Sequence, residues 1–126
     1  RIIVHFFPKR GFGDLNLREA RKQITQYKRA SGDVLGTVEL MLTYVETGTR
    51  FTNTYGDINE GFYNSLVSVL MEMVELLKTD AGLEQYFHFK DRLAALVENA
   101  AEVGWGYADD VSEEIESLTQ FVEEHT

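Results

Sequence analysis

The sequence predicts an all-α domain of five or six helices, packed as an antiparallel bundle or as a short solenoid of α–α hairpins. Three observations predict it. Pro8 is the one proline in 126 residues, and proline is the residue that helix interiors tolerate least. Alternating β-branched runs of the kind that build strands are scarce. Between capping signals, apolar residues recur at spacings of three and four, the period of a helix face. At 44% hydrophobic the chain carries enough apolar material for one domain with a real core. No internal repeat, low-complexity segment or interdomain linker divides residues 1–126, so they read as a single helical domain.

The elements follow in order. Ile2–Phe7 reads as the end of a helix or a short buried segment stopped at Pro8, and Lys9–Gly13 as a basic, glycine-containing loop. Asp14 or Asn16 caps a helix reaching about Ala30, with Leu17, Ala20, Ile24 and Tyr27 on one face, and Gly32 ends it. Asp33 caps a long helix to about Thr54. One stripe holds Val34, Leu35, Val38, Met41, Leu42 and Val45; a second holds Leu40, Tyr44 and Phe51. A surface that wide marks a central helix packed on two sides.

Gly56 stands where a left-handed C-cap is expected, and Asp57-x-x-Glu60 reads as a capping box. The helix that follows, about Asn59–Thr79, is the core of the domain. Phe62, Leu66, Val69, Leu70, Met73, Val74 and Leu77 fill one face, Tyr63, Val67 and Met71 widen it, and Ser65, Ser68, Glu72 and Glu75 form its polar stripe. A helix from about Leu83 to Val103 presents Tyr86, Phe89, Leu93, Leu96, Val97 and Ala100. Gly104-Trp105-Gly106 breaks the chain. Asp110-x-x-Glu113 then caps a last, one-sided helix to about Glu124, with Val111, Ile115, Leu118 and Val122 facing inward.

Charge divides the chain sharply. Residues 1–32 hold eight basic residues against two acidic, a net +6, and residues 33–126 hold four against nineteen, a net −15. Such a chain either folds its basic arm onto its own acidic body or offers the two surfaces to different partners. Lys9, Arg10, Arg18, Arg21, Lys22, Lys28 and Arg29 could track phosphates. Nucleic acid is nonetheless disfavoured, because the rest of the chain repels a polyanion and the pI of 4.7 is far from a basic footprint. The partner expected is a protein or a second copy, with the basic helix docking on an acidic surface.

Several chemistries are excluded. The chain has no cysteine, hence no disulfide framework, thiolate nucleophile or thiolate metal site. No apolar run approaches the roughly 18–20 residues that a membrane helix needs, and no signal peptide is recognisable. The cytoplasm is therefore the expected setting. The chain opens at Arg1 without a methionine, as the C-terminal part of a longer protein would. Glu-x-x-His motifs, Gly-x-Ser-x-Gly and phosphate loops are all missing, and Glu84, His88 and Asp91 offer at most a weak surface metal site. No cofactor and no metal is called for, and no catalytic residue is assigned.

Two segments stand out. Residues 50–64 crowd Arg50, Asn53, Tyr55, Asp57, Asn59, Glu60 and Tyr63 around one helix–helix turn. These are candidates for ligand or partner contact, although capping of helix ends accounts for most of them. Gly48 and Gly61 flank the turn within helices, where each costs about 1 kcal/mol relative to alanine; close helix approach or room for a bound group would offset that. Trp105 between two glycines is either a partner anchor or, more in keeping with a lone tryptophan, a plug at the end of the core.

Phe6-Phe7-Pro8, the run from Tyr44 through Phe51-Thr52-Asn53 and Tyr55-Gly56-Asp57-Ile58-Asn59-Glu60-Gly61-Phe62-Tyr63-Asn64-Ser65, and Val103-Gly104-Trp105-Gly106-Tyr107-Ala108-Asp109 together resemble a bacterial family of small helical proteins catalogued only as a domain of unknown function. The resemblance spans nearly the whole chain. It implies members longer at the N-terminus and supplies no activity. The leading expectation is a non-enzymatic protein–protein interaction module. The alternative is a small-ligand-binding or hydrolytic protein using the polar turn around residues 50–64.

Overall fold

Five α-helices and no strand make up the residues that the computed structural model describes, which are 17–55, 60–103 and 106–125, with side chains at all but 17–18, 51–55 and 60–62. In chain order they are α1 (Leu17–Ser31), α2 (Val34–Tyr55), α3 (Glu60–Leu77), α4 (Asp80–Ala100) and α5 (Tyr107–His125). The all-α bundle expected from the sequence is the fold observed. Ile2–Phe7, the Gly56 cap, the Asp57-x-x-Glu60 capping box and Trp105 lie outside the described residues.

The α1–α2 corner follows from three residues. Gly32 takes φ +64, a left-handed conformation that favours glycine, and its N–H donates to the Lys28 carbonyl at 3.2 Å, closing α1. Asp33 then caps α2: its side chain accepts from the backbone N–H groups of Gly36 and Leu35, and its carbonyl accepts from Thr37 N at 3.0 Å. The Tyr27 hydroxyl donates to the same carboxylate at 2.6 Å, which ties α1 to the start of α2. Tyr27 and the backbone donors hold the Asp33 carboxyl below its ordinary range.

Four helices close the core. α2 packs on α3 and α4, α5 packs on the same two, and α3 meets α4 across the middle, which leaves α2 and α5 at opposite corners. α1 lies against α2, inserting Ala20 and Ile24. The helix the sequence marks as central, α2, touches three neighbours and buries Val38, Met41, Leu42, Tyr44 and Val45. α3 and α5 run in the same direction, because Tyr63 meets Asp110 near their starts and Lys78 meets Ser117 further on. Two successive chain reversals, α3 to α4 and α4 to α5, produce that parallel pair.

Gly48 shows how tightly α2 and α3 approach: it is buried, and a Cβ there would collide with the Leu66 methyls. Close packing, not room for a ligand, offsets the glycine's helix penalty.

Four sequence expectations need correction. α3 ends at Leu77 and α4 begins at Asp80, three residues before Leu83. Thr79 is the N-cap, accepting from Gly82 N at 3.1 Å and donating to the Leu76 carbonyl at 2.7 Å. Hydrophobic periodicity starts at Leu83, so it misses a first turn made of Asp80-Ala81-Gly82. Likewise α5 begins at Tyr107, and Asp110 is no cap: its N–H donates to the Gly106 carbonyl at 3.1 Å within the first turn. Its carboxylate accepts from the Tyr63 hydroxyl instead. Leu35 and Met71, read as core, are 40% and 48% exposed. Ser65 is half-buried and hydrogen-bonds the buried Tyr44 hydroxyl, so the polar stripe of α3 is not wholly solvated.

Candidate functional site

Two polar clusters sit on this frame. The first joins the ends of α2, α3 and α5. Thr49 is 1% exposed, and its hydroxyl donates back to the Val45 carbonyl at 2.8 Å. Its oxygen therefore accepts from the Tyr107 hydroxyl, also at 2.8 Å. Tyr107 is fully buried, and the Tyr63 ring meets its ring edge-on with centroids 5.9 Å apart. Tyr63 in turn donates to Asp110. Donation to that carboxylate, aided by burial, pushes the Tyr63 phenol up to about 12. Burial does the same for Tyr107, also to about 12.

Both phenols are thus neutral donors in the folded protein. A pKa raised on folding contributes stability that is fully present below the ordinary phenol range near 10 and is lost as pH rises through about 12. Ultraviolet titration of the native protein is expected to show Tyr63 and Tyr107 among the tyrosines that ionise late, near pH 12, and Tyr63→Phe to remove one late-ionising group. Tyrosines that all titrate together near pH 10 would contradict this network.

The second cluster ties α4 to α2. The Arg92 guanidinium pairs with Glu46, with Nη2–Oε1 at 2.6 Å and Nε–Oε2 at 3.2 Å. It also pairs with Glu39 and lies 3.4 Å from the Thr43 hydroxyl. The Glu46 bond, then Glu39, hold the guanidinium firmly charged against the opposing effect of burial. Sequence reasoning missed this group, although a signal existed. Glu39, Thr43 and Glu46 are a polar line at helical spacing on the otherwise apolar stretch 38–46 of α2, and Arg92 is one of four basic residues beyond position 32.

Beside that cluster a cleft of about 480 Å³ opens between the α1–α2 corner and α4. Tyr27 and Asp33 line it at the corner, Leu35, Gly36, Glu39 and Leu40 along α2, and His88, Phe89 and Arg92 from α4. A volume in this range suits a ligand or a partner's side chains. A second groove, of about 650 Å³, runs between Lys28 of α1 and the Val67, Met71, Glu72 and Leu76 positions of α3.

The residues singled out around the turn do not converge among those described. Arg50 is exposed, and its hydrogen bond goes to Thr47 on its own helix at 3.4 Å. Tyr63 turns to Asp110 and Tyr107 on α5. Asp57, Asn59 and Trp105 lie outside the described residues, as do the side chains of Asn53, Tyr55 and Glu60. Among the described residues no three potential ligands gather around a metal position, and Glu84, His88 and Asp91 form no such group. No described helix is long and apolar enough to cross a membrane. No family model matches the chain, and comparison with curated proteins and with solved structures returns no match.

Proposed function

We propose that the chain is a non-enzymatic protein–protein interaction module that presents the cleft between the α1–α2 corner and α4 to its partner. One observation carries the reading: a cleft of about 480 Å³ opens between α2 and α4, and the Arg92 pairs to Glu46 and Glu39 tie those two walls together. Walls held in one arrangement are pre-organised for a partner, which lowers the ordering cost of binding.

The cleft itself offers contact area. Leu35 on its wall is 40% exposed, and His88 on the α4 wall is exposed as well. An exposed aliphatic side chain on the wall of a concave surface is a usual anchor of protein recognition. The test is affinity capture with the wild-type chain and with a Leu35→Asp, His88→Asp double variant. Both positions are exposed, so melting should be unchanged while the captured partner falls by at least about tenfold, a hot-spot-sized loss. A partner retained equally by the variant, or turnover of a hydrolytic substrate by the isolated chain, would overturn the reading.

A further inference from the structure

The charge division of the sequence reaches two of the described helices: α1 carries five basic residues against Glu19, and α5 carries seven acidic residues and no lysine or arginine. α1 packs on α2, while α5 packs on α3 and α4 at the diagonally opposite corner, so the basic and acidic helices face away from each other. Arg21 of α1 pairs with Glu72 of α3 at 2.9 Å; Lys22, Lys28 and Arg29 are exposed. On the far side Asp109, Glu113, Glu116, Glu123 and Glu124 are exposed on a helix without lysine or arginine.

We propose that the protein associates with a second copy of itself head to tail, the basic outer face of α1 on one copy docking along the acidic outer face of α5 on the other. The two faces match in spacing as well as sign. Lys22 and Arg29 are seven residues apart on α1, and so are Asp109 and Glu116, and Glu116 and Glu123, on α5. Seven residues are two helical turns, about 10.5 Å, so both faces repeat their charges at the same interval. Inward anchors fix both orientations: Ala20 and Ile24 on α1, and Val111, Ile115, Leu118 and Val122 on α5.

The net charge of −9 opposes association in general. At about 0.1 M salt, however, the Debye length is about 10 Å, no more than the width of one helix, so apposed faces sense each other more than the total. Contact between unlike faces is heterologous, and it continues copy to copy instead of closing into a symmetric dimer. The pairs are solvent-exposed, so the association is weak and sensitive to salt. It uses a surface other than the cleft, so its failure leaves the interaction-module reading standing, and the capture experiment above tests that reading separately.

Charge exchange tests it. Sedimentation of the full chain at about 0.1 M salt should show the weight-average mass rising above 14.4 kDa with concentration, and returning to that value near 0.5 M. Lys22→Glu with Arg29→Glu, and separately Glu116→Lys with Glu123→Lys, should each abolish the rise without shifting the melting temperature. Mixing the two variants should restore it, because the acidic α1 of one then faces the basic α5 of the other. The second variant lowers the net charge to −5 by two changes of +2 each from −9. Association driven merely by reduced repulsion would therefore increase in it. That increase would overturn the proposal, as would a monomer at every salt concentration, or single variants that still associate.

Discussion

Tyr107→Ala is expected to cost about 3–5 kcal/mol, the range for large aromatic truncations in a core. The side chain is fully buried at the first turn of α5 and touches two other helices, through its hydroxyl at Thr49 of α2 and its ring at Tyr63 of α3. Removal would leave a cavity where three helix ends meet. Tyr107→Phe keeps the ring and costs only about 1 kcal/mol, the net value of one hydrogen bond, because Thr49 retains its own bond to the Val45 carbonyl. Urea unfolding of both variants checks the pair. Equal losses would mean that the hydroxyl, not the ring, holds this end of the bundle together.

Gly82→Ala is the second large effect. Thr79 places Gly82 in the first turn of α4, directly over the end of α3, and a Cβ there would lie 2.6 Å from the Leu77 Cα and collide with the Leu76 carbonyl. Backbone atoms cannot rotate aside as a side chain can, so α3 and α4 would have to part. The expected loss is about 3 kcal/mol, at the upper end for overpacking, despite the higher helix propensity of alanine. Gly48→Ala meets Leu66 methyls, the far end of a flexible side chain, and should cost less. Thermal melts of the two variants give the comparison. A stabilised Gly82→Ala would show that the corner is looser than its geometry.

These two residues also show what could and could not be read from the chain. Tyr107 and Gly82 are in register with the buried faces of their helices, four residues before Val111 and Tyr86, but each stands ahead of the start that the sequence marks, Asp110 for α5 and Leu83 for α4. Their importance comes from partners far away in sequence, Thr49 for the first, and from a chain reversal of two residues, Lys78 and Thr79, for the second. Asp33 was legible as a cap because capping is local, set by residues within one turn. Asp110 was misread for the same reason. Its local pattern, acid followed three residues later by glutamate, is that of a capping box, while Tyr63 at a distance of 47 positions claims the carboxylate. Of the candidate site, Arg50 and Tyr63 were identified as residues, but the structure sends them to different neighbours. The Arg92 cluster went unseen because it pairs helices that the sequence does not show to be adjacent.

What the sequence determined by itself was the fold class, the buried faces of the helices apart from Leu35, Ser65 and Met71, and the charge division. These depend on interactions within a few residues, on helical periodicity and on composition, all of which can be summed along the chain. Tertiary structure decided the rest. It set which helices are neighbours, which glycines are trapped against another backbone, which hydroxyl meets which carboxylate, and that the basic and acidic helices stand on opposite sides instead of neutralising each other. The physical reason is that close packing is a property of pairs of surfaces, and a steric fit or a charged contact between distant segments exists only once the core has placed them side by side.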